Sequence, residues 1–246
     1  LHRARSRQPT RGRHPRRPGL RHETGLIGTR RMLRVGLEGG EKLMKLPPLI
    51  LASASPRRAE LLGELGVKFR VVPSDAPEIA HDEFSPQELC QLNAHRKART
   101  VAKKHPDALA MGADTLVFLG REILGKPRDL GDAHRMLRRL QGRTHQVVTG
   151  VCLMHLRAHR ERLFAVTTDV RFRKLSRSQI EYYLSRVNPL DKAGAYAIQE
   201  HGEFIVEEVS GSFTNVIGLP LERLEVEISV FCRRERESYI TDIVYI

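Results

Sequence analysis

The sequence predicts an α/β domain built around a mixed β-sheet with flanking helices. From Leu46 onward, short apolar or alternating runs of strand type are interleaved with segments of helical periodicity. Their order is β-α-β-α-β-β-α-β-β-α-β-β-β, too mixed for a strictly alternating, doubly wound parallel sheet. Of the 246 residues, 40% are hydrophobic and 29% charged, and no run approaches ~18 consecutive apolar residues. Those proportions fit a domain folded in water and exclude a membrane span.

The first element is the apolar run Pro48 to Ala52, a buried strand by its length and content. Ser55 and Pro56 suit an N-cap and a first helical position, and Leu61, Leu62 and Leu65 follow at helical spacing. Phe69 to Val72 reads as the next strand. A second helix opens at Ser85, where Ser85 and Glu88 form a capping box, and runs through Leu89, Leu92, Ala98 and Val101. Leu109 to Leu119 is a long strand. A third helix carries Ala133, Met136, Leu137 and Leu140 and stops at Gly142. Gln146 to Leu156 and Phe164 to Phe172 are strands, the latter alternating Phe164, Val166, Thr168, Val170 and Phe172. A Ser176 to Gln179 box opens a fourth helix through Ile180, Tyr183, Leu184 and Val187. Strand signals return at Ala195 to Ile198 and Phe204 to Val209. The last segment, residues 229–246, contains Arg233-Arg234-Glu235-Arg236-Glu237 and is an extension without an assigned element.

The net charge of +13 points to nucleic acid or an anionic surface until it is located. Residues 1–47 hold 13 Lys and Arg against 3 Asp and Glu, so a tail carries +10 of it and residues 48–246 only +3. Residues 1–45 are Arg- and Pro-rich, have few apolar residues and no periodicity, and are expected to be disordered. Met44 stands just ahead of the first strand while the chain opens on Leu1, so the tail reads as sequence upstream of the true start. The domain itself is expected over residues 46–228, without nucleic acid as a partner. Cys90, Cys152 and Cys232 are odd in number, widely spaced and free of C-x-x-C pairs. That argues against a disulfide framework or a cysteine zinc site and for a reducing, cytoplasmic setting.

Three familiar sites are set aside. Gly120 to Lys126 matches G-x-x-x-x-G-K, but Pro127 stands where a P-loop needs a metal-binding Ser or Thr. The eleven histidines show no metal-ligand spacing. Ser53 and Ser55 lack a nucleophile elbow. What remains is charge at element ends. Ser53-Ala54-Ser55-Pro56-Arg57-Arg58 leaves a strand and enters a helix, so hydroxyls, free N–H groups and two guanidinium groups converge there. Cations are unfavourable at a helix N-terminus, so the pair calls for an anion, and phosphate suits the arginine forks. Asp114, in Gly112-Ala113-Asp114-Thr115, is a lone carboxylate within an apolar strand and is costly to bury unless it binds metal or donors or acts as a base. Lys126 in Gly-Lys-Pro and the cluster Asp191 to Gln199 are polar residues flanked by small ones that let a ligand approach the backbone.

Taken in order, these segments resemble the Maf family of nucleoside triphosphate pyrophosphatases, once described as septum-formation proteins. The marks are Leu-Ala-Ser-Ala-Ser-Pro-Arg-Arg at 51–58, Glu78 after Ser74-Asp75, Lys97, Gly-Ala-Asp-Thr at 112–115 and Gly-Lys-Pro at 125–127. Asp-Lys-Ala-Gly-Ala-Tyr at 191–196 with Gln199, and Asn-Val-Ile-Gly-Leu-Pro at 215–220, complete them. The likeness spans about residues 48–226. It implies an elongated sheet with two lobes around a deep nucleotide-binding cleft, and hydrolysis of a nucleoside triphosphate to monophosphate and pyrophosphate. It further implies a divalent cation, usually Mg2+, with Mn2+ or Co2+ as substitutes. Carried over by position, Ser53, Arg57, Arg58, Lys97 and Lys126 hold the phosphates. Glu78 and Asp114 are catalytic and bind the metal, with Asp114 as proton acceptor. Arg57, Thr115 and Gln199 match the branch acting on dTTP and UTP, and the absence of Trp separates the chain from the 7-methyl-GTP branch. Modified pyrimidine triphosphates fit the same branch. Ala197 and Glu200 depart from the glycines usual beside Ile198 and Gln199. The resemblance is compatible with a homodimer, and its alternative is a nucleotide-binding regulator of cell division that needs no turnover.

Overall fold

The computed structural model describes residues 47–79 and 83–241, with side chains as far as Phe231. The expected tail over residues 1–45 lies outside these residues, as do the side chains of 232–246. The described chain runs β1 (Leu49–Leu51), α1 (Pro56–Glu64), β2 (Phe69–Val71), α2 (Pro86–Lys104), β3 (Leu109–Leu119), β4 (Glu122–Leu124) and α3 (Leu130–Leu140). It continues with β5 (Thr144–His155), β6 (Arg160–Phe172), α4 (Arg177–Leu184), a 3-10 turn (Ala193–Ala195), α5 (Gly202–Ile205), β7 (Val206–Ser210), α6 (Phe213–Ile217) and α7 (Leu221–Thr241).

The seven strands form one sheet in the order β2-β1-β3-β5-β6-β7, with β4 also on β3. β2, β1 and β3 are parallel and the other pairings antiparallel, which is the mixed sheet the sequence predicts. Parallel neighbours need a crossover, and α1 and α2 supply them. Both predicted capping boxes form: Ser85 with Glu88 and Ser176 with Gln179 each exchange a side chain for a backbone N–H. α3 starts from Asp129, whose carboxylate accepts from Asp132 N at 2.6 Å, a cap the sequence reading passed over.

Two late strand expectations are corrected. Ala195 to Ile198 is apolar enough for a strand, but Gly194 (φ 70°) and Ala195 (φ 64°) turn the backbone into the left-handed region. The Tyr183 hydroxyl then pins Ala197 by accepting from its N at 3.1 Å and donating to its O at 3.3 Å, so no ladder forms. The second signal, Phe204 to Val209, begins in the short α5 and becomes strand only at Val206, where β7 joins β6 beside a register shift at Arg171/Phe172. At the other end, the expected boundary at 228 falls inside α7, and Ile228 and Phe231 are buried in the core.

Alternation in β3 divides the core. Its even residues Ala110, Gly112, Asp114, Leu116 and Phe118, and Ala108 just ahead of it, face α2, where they meet Ala94, Ala98, Val101 and Cys90. Its odd residues face two apolar clusters on the opposite side. One joins Leu109, Met111, Ala113, Val151 and Leu153 to α1 and α7, and the other joins Val117, Leu119, Val147 and Phe172 to α3 and α4. Between them runs a buried polar seam of Thr149, Thr168 and Asn215, in which Asn215 Nδ2 donates to Val147 O at 3.0 Å and to Thr168 Oγ1 at 3.1 Å.

Two features open a site. β3 pairs with β1 only over residues 109–111 and with β4 only over 117–119, so along 112–116 the sheet is gapped on that side. And α2 lies flush on the sheet because two strand positions lack a Cβ. A Cβ on Gly112 would stand 2.1 Å from Ala94 O, and one on Gly150 would stand 2.3 Å from Cys90 C. No real Cβ approaches so closely, which makes glycine a packing requirement at both places.

Candidate active site

β1 ends at Leu51, with Ala52 N donating to Met111 O at 2.7 Å, and Ser55 is again extended. Pro56 then opens α1. Ser55 is the N-cap residue, but its side chain makes no capping bond and the first turn holds no acid. The Ser55 N–H instead donates to Ser53 Oγ at 3.2 Å. The positive end of α1 is therefore left without a negative partner at the mouth of the gap.

The two arginines that follow diverge. Arg58 turns into the sheet gap and is spent on protein oxygens. Its Nε donates to Gly218 O at 3.0 Å, Nη1 to Ala113 O at 2.9 Å and Ser53 Oγ at 3.3 Å, and Nη2 to Thr115 Oγ1 at 2.9 Å. Four of its five N–H groups are engaged. Desolvation lowers its pKa against the pull of Asp114 and Glu78, yet an arginine stays charged. Thr115 continues the chain of bonds to Thr149 Oγ1 at 2.9 Å, and Thr149 donates to Asn215 O at 3.2 Å, which joins the arginine to the polar seam. Arg57 points the other way, to Asp191.

The acid side of the gap belongs to α2. Lys97 Nζ donates to Asp114 Oδ1 and to Glu78 Oε1, both at 2.7 Å. Asn93 Nδ2 donates to Asp114 Oδ2 at 3.0 Å. Asp114 is buried at mid-strand, while the Glu78 side chain is 61% exposed on the segment between β2 and α2. Partial desolvation raises the Glu78 pKa, but its bond to Lys97 and the charges of Lys97, Lys126 and Arg58 outweigh it and hold the carboxyl below the usual range.

The far wall follows β4. Gly125 O accepts from Gly194 N at 3.0 Å, tying the Gly-Lys-Pro turn to the 3-10 turn and leaving the Lys126 side chain exposed in the cleft. Asp191 accepts from Arg57 and from Lys192, and buried Lys192 also meets Glu200 at 3.2 Å, so Glu200 serves as a counter-ion to this lysine. Tyr196 lines the wall and is held from behind by His145 Nε2 at 2.8 Å.

Ser53, Arg57, Arg58, Glu78, Lys97, Asp114, Thr115, Lys126 and Gln199 all line one cleft of about 610 Å³. Every residue to which the resemblance assigns a role is there. The sequence reading missed Asn93, Thr149 and His145, whose only signal is a polar side chain at a core position of a helix or strand. The expected P-loop decoy, Gly120 to Lys126, is the hairpin turn at Gly120 (φ 67°), the strand β4 and the Gly-Lys that follows it.

Glu78 and Asp114 fit a divalent cation by their donor chemistry, since both carboxylates converge on a single cationic atom, Lys97 Nζ. Among the described residues no cluster of three or more His, Cys, Asp or Glu side chains is poised to hold a metal. Two carboxylates suit a hard cation that takes its remaining ligands from water and substrate phosphates, as Mg2+ does. No described helix is long and apolar enough to cross a membrane.

The model of the Maf-like protein family matches residues 48–231. A dTTP/UTP pyrophosphatase of Akkermansia muciniphila is 48% identical over 176 residues, 72% of this chain and 92% of that protein. One of Myxococcus xanthus is 49% identical over 173 residues, 70% and 87% of the two chains. One of Bacillus velezensis is 44% identical over 176 residues, 71% and 92%. The matched span contains every element from β1 to the core-facing half of α7 and every residue lining the cleft, and on these grounds the chain belongs to the Maf-like protein family.

Proposed function

We propose that this chain hydrolyses dTTP and UTP between the α- and β-phosphates, releasing the nucleoside monophosphate and pyrophosphate. The observation that carries the reading is the shared cleft, in which an acid pair faces Arg57, Lys126 and the open start of α1. The relatives named as dTTP/UTP pyrophosphatases support the same substrate class.

Ser53, Arg57, Lys126 and the first N–H groups of α1 bind the phosphates. Arg58 shapes the floor of that cradle and has one N–H to offer. Lys97 neutralises the acids at rest and adds positive charge beside the phosphates. Glu78 and Asp114 hold the divalent cation, Mg2+ in the first instance, with Mn2+ or Co2+ as alternatives. A bound cation supplies charge neutralisation on the phosphoryl oxygens and lowers the pKa of its water. Asp114 orients the attacking water and accepts its proton as the new P–O bond forms and the bridging anhydride bond breaks. Arg57 and Lys126 balance the charge that accumulates on the leaving pyrophosphate. Thr115 and Gln199 face the nucleoside, and the enzyme works on the free nucleotide pool of the cytoplasm.

The test is a pyrophosphate-release screen of dTTP, UTP, CTP, GTP and 7-methyl-GTP with Mg2+. Preferential turnover of dTTP and UTP is the expected result. Preference for 7-methyl-GTP, or no release from any of the five, overturns the reading.

A further inference from the structure

The two acids rest on unequal supports. Asp114 is part of a long strand laddered to β5, whereas Glu78 lies on residues 72–79, which form no helix or strand. A carboxylate pair retains a cation only while its spacing is held, so something outside the sheet must fix the Glu78 segment.

That something is the side chain of Asn93. Its Oδ1 accepts from Ile79 N at 2.8 Å, and its Nδ2 donates to Ile79 O at 3.0 Å and to Asp114 Oδ2 at 3.0 Å. The orientation of the amide follows from its partners. Ile79 N–H can only donate, so Oδ1 faces it, and both Nδ2 hydrogens are left for the two oxygens. Asn93 is 2% exposed, inside a helix whose neighbouring core positions are apolar. Asparagine is a poor helix former and a costly residue to bury unpaired, so a packing role would be met better by leucine. Its place is set by helical geometry as well. Asn93 and Lys97 are four residues apart and share a face, so one takes Oδ2 of Asp114 and the other takes Oδ1.

We propose that Asn93 is a positioning residue that clamps the backbone next to Glu78 onto Asp114, so that the two carboxylates stay convergent on one cation. The inference rests on the reading of Glu78 and Asp114 as the metal-holding pair. It extends that reading to a residue that touches neither metal nor substrate.

The experiment uses the full chain carrying Asn93→Leu or Asn93→Ser, with Glu78→Gln as reference. Mn2+ binding is read by the loss of the free-ion electron paramagnetic resonance signal, and dTTP turnover is measured at one fixed Mg2+ concentration, half-saturating for the parent protein. Losing a partner outside the ligand shell typically weakens a metal site ~10- to 100-fold. Both Asn93 variants should lose Mn2+ affinity by about that factor and kcat with it, while KM for dTTP changes by no more than about twofold. Wild-type Mn2+ affinity and kcat in either variant overturn the proposal. So does a raised KM with unchanged Mn2+ affinity, which would place Asn93 in the service of the phosphates. Should Asn93→Leu fail to fold, Asn93→Ser decides, because it adds no bulk and leaves room for water. Unchanged Mn2+ binding by Glu78→Gln would instead remove the acid-pair reading itself, whatever Asn93 does.

Discussion

Arg57 Nη1 lies 3.1 Å from Asp191 Oδ2, joining the start of α1 to the opposite wall of the cleft. Their side chains are 28% and 51% exposed. A pair this exposed is worth roughly 0–1 kcal/mol, whereas a guanidinium–phosphate bond is worth roughly 1.5–3 kcal/mol. A phosphate entering the cleft is therefore expected to win the arginine. In the structure as it stands, desolvation raises the Asp191 pKa and is outweighed by Lys192 and Arg57, which lower it; once Arg57 leaves, Lys192 remains as its partner. Arg57→Ala should raise KM for dTTP ~10- to 100-fold with the melting temperature nearly unchanged. Steady-state kinetics with an unaltered KM would remove Arg57 from the cradle.

Arg58 is predicted to behave differently from its neighbour. Lysine cannot span Gly218 O, Ala113 O, Ser53 and Thr115 together, so Arg58→Lys leaves acceptors in the gap unpaired. A loss of at least ~2 kcal/mol in urea unfolding should accompany any kinetic defect. A variant as stable as the parent would show that the arginine is not a structural tie.

Asp114→Asn keeps an oxygen for Lys97 but cannot take a proton from water. The expected cost is ~10²- to 10⁴-fold in kcat, with the fold retained. Near-normal pyrophosphate release would reassign the base.

Gly150→Ala should push α2 off the sheet, because its new methyl would stand 2.3 Å from Cys90 C and 2.5 Å from Gln91 N. Overpacking of this kind costs ~1–3 kcal/mol or more, and here it also draws Asn93 and Lys97 away from Asp114. Stability in urea and kcat should fall together. A drop in stability alone would mean that the helix adjusts locally.

His145 gives stability a dependence on pH. Burial among Phe172 and Tyr196 lowers its pKa from 6.5 to about 4, so it is neutral in the folded protein at neutral pH. Between pH 6.5 and 4 the unfolded chain binds a proton that the folded chain refuses. Stability from this group is complete above pH 6.5 and is lost as pH falls toward 4, by roughly 3 kcal/mol in all. His145→Gln should flatten that part of the curve of unfolding free energy against pH. An equally steep curve in the variant would assign the slope to other groups.

How much of this was legible depended on whether the cause is local. The Ser85–Glu88 and Ser176–Gln179 boxes need only four consecutive residues, and both are written in the sequence. The Ser-Pro-Arg-Arg entry into α1 was legible as a cationic strand-to-helix turn, but not the division of labour between its arginines. That division depends on Ala113, Thr115 and Gly218, which are 55, 57 and 160 residues away from Arg58. Ala195 to Ile198 was misread because nothing in the sequence discloses the positive φ of Ala195. Asn93 escaped notice because its partners, Ile79 and Asp114, meet only after α2 settles on the sheet.

The gap in the sheet sets one further constraint. Asp114 and Thr115 are consecutive in β3, so their side chains leave opposite faces of the same ribbon, the acid toward Lys97 and the hydroxyl toward Arg58. A slip of a single position in β3 would, according to its direction, set either a hydroxyl before the ammonium or a carboxylate beside the guanidinium. Between Met111 and Val117 the number of residues therefore matters as much as their identity. An insertion or deletion there would turn the lining of the cleft inside out while leaving every one of its side chains in the gene.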